Sequence, residues 1–100
     1  DTRLVMPEVP EWAEPVWHQF VVCSSDRESQ IDRLAQLGVP TQIHYPLAPS
    51  QQPAYSDLVF RTPLPIAERL AAQVFSLPIG PHQDEMTTDR IIKAVKNACG

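Results

Sequence analysis

Glycine is scarce in this chain, with three residues in 100, at positions 38, 80 and 100. A phosphate cradle built on a glycine-rich turn needs several of them close together, so that kind of nucleotide site is excluded. Lysine is scarcer still: Lys93 and Lys96, both in one C-terminal segment. Eight basic residues stand against twelve acidic ones, and the net charge of −4 leaves no basic patch for nucleic acid. Two cysteines, Cys23 and Cys99, are too few for a disulfide framework or a zinc cluster. Cys23 lies in an apolar run and reads as a small buried hydrophobe. No apolar stretch approaches the roughly 18 residues of a membrane helix, and neither a signal peptide nor a membrane partner is expected. A reducing cytoplasm is the expected setting. No Gly-x-Ser-x-Gly elbow occurs, neither cysteine has a histidine close by, and no two of His18, His44 and His82 fall at metal-ligand spacing. Nucleophilic catalysis and a metal site are therefore not expected.

Proline is what the chain has in excess: 11 of 100 residues, about twice the usual share, within 43% hydrophobic content. Apolar residues are interleaved throughout, so the prolines imply long ordered loops. One hundred residues make a single domain, 1–100, with one modest core. The chain opens on Asp rather than Met, the expected mark of a piece of something longer.

Residues 3–6 suggest a short strand, followed by a Pro- and Glu-rich segment, and 16–24 is aromatic and β-branched, the best strand in the chain. Ser25 to Glu28 reads as a capping box. The helix it opens carries Ile31, Leu34, Ala35 and Leu37, and Gly38 stops it. A strand over 39–45 and a loop over 46–65 follow. Pro65 begins a second helix with Ile66, Ala67, Leu70, Ala71 and Val74 on one face, and 75–79 is extended again. Asp84 caps a third helix with the stripe Thr88, Ile91, Ile92, Val95 and Ala98. The order predicts an α+β domain, a small mostly antiparallel sheet with three helices on one face and strand 16–24 central. Trp12, Trp17, Phe20, Tyr55 and Phe60 exceed what one small core uses, so some apolar surface should be exposed.

The chemistry concentrates in Gly38–Tyr55, GVPTQIHYPLAPSQQPAY. There an imidazole and a phenol, His44 and Tyr45, stand at a strand end held by a stiff loop. The bland reading is one residue bonded in a corner and the other packed in the core. His18 reads as packing on the long strand. His82 reads as a structural side chain bonding loop backbone before the third helix. Asp84 and Glu85 suit a helix N-terminus better than acid–base work.

The run Gly-Val-x-Thr-x-x-His-Tyr-Pro, then Gln-Pro-Ala-Tyr, and LPIGPH further on resemble the C-terminal small domain of the DegT/DnrJ/StrS nucleotide-sugar aminotransferases. The resemblance extends from EVPEWAEPVWHQFVV to LPIAERLAAQVFSLPIGPH. It implies the C-terminal domain of a fold-type I pyridoxal phosphate (PLP) enzyme. In such a parent, an amino-acid donor serves a keto-sugar nucleotide in polysaccharide and amino-sugar biosynthesis. It also implies His44 and Tyr45 as substrate-binding residues in the cleft beside the large domain, and a homodimeric parent. The Schiff-base lysine and the PLP site belong to that large domain, so this chain alone should bind no cofactor and carry no catalytic residue. Ser50 stands where the family usually has a second histidine, a neutral hydroxyl in place of a titratable ring. A PLP-dependent sugar dehydratase of the same family is one alternative. A free-standing α+β ligand-sensing or interaction module is another, disfavoured by the long 46–65 loop.

Overall fold

A computed structural model describes residues 4–58 and 63–99. Phe60, one of the excess aromatics, lies outside the described residues. The regular elements are β1 (Phe20–Cys23), α1 (Arg27–Gln36), α2 (Pro65–Gln73), β2 (Val74–Leu77) and α3 (Glu85–Cys99), with single turns of 3-10 helix at Pro49–Gln51 and Pro53–Tyr55. β1 and β2 pair antiparallel, Phe20 opposite Leu77 and Cys23 opposite Val74. Val5 adds an antiparallel bridge to Cys23 on one side, and Gln42 adds another to Ser76 on the other. β1 therefore sits inside the sheet, as expected of strand 16–24, and the fold is α+β.

The strands are shorter than the sequence suggests, for local reasons. Trp17 has φ +51°, the left-handed region that a bulky residue rarely enters, and an extended ladder cannot pass through it. Pairing accordingly begins at Phe20, and the Trp17 ring tilts onto Phe20 at 5.0 Å. The expected strand 39–45 contributes the single bridge at Gln42. Of the expected strand 3–6, Val5 pairs, while Arg3 lies outside the described residues.

The core lies on one face of the sheet. Val22 and Phe75 meet Leu34 of α1 and Ala94, Val95 and Ala98 of α3, with Val39 and Leu77 closing the cluster. On α3 the buried stripe turns toward Ala94 and Cys99, and Ile92 is 46% exposed rather than core.

Both helix ends of α1 have a definite chemistry. The C-terminus is a Schellman motif: the Gly38 N–H donates to Ala35 O, the Val39 N–H donates to Leu34 O, and Gly38 takes φ +79°. Val39 and Leu34 are both buried, the apolar contact that accompanies this motif. The N-terminus differs from expectation. Asp26, not Ser25, is the N-cap, no side chain caps it, and Glu28 accepts from the Arg27 guanidinium instead of closing a capping box. Ser24 Oγ takes the Asp26 N–H, and this local turn replaces the box. The α3 cap is as expected, with Asp84 Oδ1 accepting from the Thr87 N–H at 2.7 Å. Hydrogen bonding from the Thr87 side chain, and next from its N–H, holds the Asp84 carboxyl below the ordinary aspartate range.

α2 corrects the expected core. Ala71 is its one buried residue, while Ile66 and Leu70 are 66% and 40% exposed. α2 runs directly into β2, and Val74 is already paired with Cys23, so only its last turn reaches the core. The expected surplus of exposed apolar side chains is present: Trp12 is 87% exposed, and Val5, Met6 and Tyr55 are exposed too.

Candidate functional site

Three separate segments converge on one open depression of about 510 Å3. Residues 18 and 19 lead into β1 and supply His18 and Gln19. The stretch around the Gln42 bridge supplies Thr41, Gln42 and His44, and β2 with the loop after it supplies Ser76, Gly80, His82 and Gln83. The sheet register does the gathering, since the Gln42 N–H donates to Ser76 O and the Ser76 N–H donates back at 2.7 Å. The loop after β2 turns where the Gln83 N–H donates to Gly80 O at 3.1 Å, with Pro81 in the second turn position that its fixed φ suits. This places His82 third in the turn. Its ring lies back over Gly80, where an added Cβ would meet His82 Cε1 and Nε2 at 3.7 Å.

His44 is half-buried, and Gln19 Nε2 stands 3.2 Å from its Nδ1. With the amide donating, Nδ1 accepts and Nε2 carries the proton, a donor that a substrate oxygen can use. Tyr45, the other residue singled out from the sequence, is 67% exposed and does not line the depression. Its ring meets His44 edge-on, 5.4 Å between centroids and 76° between planes, which braces the imidazole from outside. The structure therefore brings the two together but gives only His44 a wall of the depression.

His18 and His82 were not singled out as site residues, and both line it. His18 is exposed rather than packed on a strand, because the ladder starts only at Phe20. His82 bonds no loop backbone among the described residues. No local pattern could have shown this, because positions 18, 44 and 82 come to line one depression only when the sheet closes. Ser50 lies elsewhere, its Oγ buried without a hydrogen-bond partner among the described residues, so the departure from the family motif does not touch this depression.

Among the described residues no Asp, Glu, Lys or Arg lines the depression. A second hollow of about 230 Å3 shares Pro40, Pro78 and Gln83 with it and is bordered by Arg90. Among the described residues no three His, Cys, Asp or Glu side chains stand close enough to hold a metal ion. No described helix is long and apolar enough to cross a membrane. Lys93 and Lys96 are exposed on α3, and neither borders either hollow, so the residues present do not fit a PLP Schiff base.

An α+β unit with an uncharged, histidine-lined hollow at the rim of a small sheet is the class that fold and site define. The profile of the DegT/DnrJ/EryC1/StrS aminotransferase family matches residues 1–96, and the chain belongs to that family. It is 40% identical over 94 residues to the erythromycin biosynthesis sensory transduction protein EryC1 of Saccharopolyspora erythraea, covering 93% of this chain and 26% of that protein. It is 38% identical over 90 residues to the dTDP-3-amino-3,6-dideoxy-alpha-D-galactopyranose transaminase of Aneurinibacillus thermoaerophilus, covering 90% of this chain and 24% of the relative. The crystal structure of DesV from S. venezuelae, in complex with a ketimine intermediate, superposes with a TM-score of 0.86 at 37% identity, over 94% of this chain and 26% of that one. The chain thus spans about a quarter of the length of the relatives it matches.

Proposed function

We propose that this chain is the C-terminal small domain of a PLP-dependent aminotransferase acting on a keto-sugar nucleotide. One observation carries the reading: almost the whole chain aligns with one quarter of enzymes named as sugar-nucleotide transaminases. The PLP, its lysine and the homodimer contacts belong to a large domain of the same polypeptide, which receives its amino group from an amino-acid donor. Alone, the chain is inactive. A cytoplasmic location suits its two free cysteines. Within the parent, His44 and Tyr45 contact the sugar nucleotide at the cleft, His44 as a donor with the Tyr45 ring edge-on beside it.

The test is His44→Ala in the full-length parent. The expected result is a lower kcat/KM for the sugar nucleotide with the amino-donor half-reaction nearly intact. A lost hydrogen bond costs about 0.5–1.5 kcal/mol when neutral and up to about 3 kcal/mol when charged. That is a few-fold to somewhat above a hundred-fold in rate. Equal losses in both half-reactions would place His44 outside the sugar side, and unfolding with normal kinetics in the survivors would make it structural. In a parallel assay, the 100-residue chain mixed with PLP and dialysed should keep no cofactor absorbance. A saturable band that survives dialysis would overturn the division of labour.

A further inference from the structure

We propose that His18 and His82 join His44 in a three-imidazole subsite that takes the anionic oxygens, phosphate or carboxylate, of the ligand occupying the depression. The assignment deepens the reading above and rests on it for the identity of the natural ligand. Three observations carry it. All three imidazoles line one depression, although they come from three segments far apart in sequence. Among the described residues His18 and His82 have no hydrogen-bond partner, and His44 uses only Nδ1. Imidazole N–H groups at the wall of a cavity are thus left to donate outward. Finally, among the described residues no carboxylate lines the hollow, so none on its wall competes for those donors. The neutral neighbours Gln19, Thr41 and Gln42 can bond the uncharged part of such a ligand. Arg90, beyond Gln83 on the adjoining hollow, adds a cation along the same surface.

The experiment follows the imidazole proton resonances of the 100-residue chain during titration with inorganic pyrophosphate, with acetate and with methyl glucoside in separate arms. The expected result is a saturable shift of the His18, His44 and His82 signals with an anion and none with the neutral sugar. Tighter binding of pyrophosphate assigns the subsite to a diphosphate, and tighter binding of acetate to a carboxylate. His82→Asn should weaken the anion about tenfold, the value of one hydrogen bond to a charged group. Dispersed Phe75 and Leu34 signals verify that the variant is folded. If His82→Asn loses them, His18→Asn carries the same tenfold comparison. No shift, a shift of His44 alone, or equal shifts with methyl glucoside overturns the subsite. The reading above fails separately: a parent that does not transaminate sugar nucleotides would sink it while anion-responsive imidazoles stand.

Discussion

Gln30 is fully buried on α1, and neither atom of its side-chain amide has a hydrogen-bond partner among the described residues. A buried polar group left unpaired costs about 1–3 kcal/mol, so Gln30→Leu, which keeps most of the volume, should stabilise the chain by that order. Urea unfolding measures it, and a loss of stability would mean that the amide is satisfied by buried water. Phe75 is the opposite case, fully buried in the core, and Phe75→Ala should cost about 3–5 kcal/mol. Asp84 makes its contribution visible through pH. Its carboxyl is held below the ordinary aspartate range by the Thr87 side chain and by the Thr87 N–H, so the cap is complete above that range. As pH falls through the lowered value the carboxylate is protonated and the α3 cap is lost. Asp84→Asn should flatten that part of the stability–pH curve, and an unchanged curve would show the cap to be energetically silent. Asp84 and Gly38 were legible in the sequence because each acts within one helix turn. Gln30 was not, since its burial depends on what packs over α1.

Among elements, α1 ties the others together through two arginines. The Arg27 guanidinium donates to Ala71 O at 2.7 Å and to Val74 O at 3.3 Å, at the junction of α2 and β2. Arg33 donates to Ala98 O at 3.1 Å, satisfying a carbonyl in the last turn of α3. Arg27 is 11% exposed in its side chain, and Arg27→Ala should cost about 1.5–3 kcal/mol. Arg27→Lys should recover little, because Nη1 holds both carbonyls while Nε donates to Glu28, and a lysine has only one nitrogen for these contacts. Full recovery by lysine would reduce the contact to simple charge. The helices were legible from their periodicity and stops, whereas the strand ends were not. Trp17 in a left-handed conformation cuts the first strand, and nothing in VWHQF signals it. Nor does an amphipathic stripe say what it docks against. The stripe of α2 has the same period as that of α3 but stays exposed. In this chain alone Leu70→Ala should therefore change stability by less than about 0.5 kcal/mol. Leu34→Ala, at a fully buried position, should cost about 2–5 kcal/mol.

Across the whole molecule, the family motif pointed to His44, while the depression around it was invisible to any local pattern. β1 and β2 lie some fifty residues apart in the chain, and the hollow forms only where their pairing and the Gln42–Ser76 bridge come together. That register also fixes where mass action enters. The β1–β2 ladder, the Gln42–Ser76 bridge and the Arg33–Ala98 bond all join the part before Asp57 to the part after it. A backbone cut after Ser56, at an exposed turn, would leave both sides of each contact intact but remove the tether that keeps them near one another. Unfolding of the nicked protein would then become a bimolecular dissociation. Its stability should rise by about 1.4 kcal/mol for each tenfold increase in concentration, while that of the unbroken chain stays constant. Mixing the two separately purified pieces and watching the Phe75 environment reform would measure directly the effective concentration that the proline-rich loop supplies.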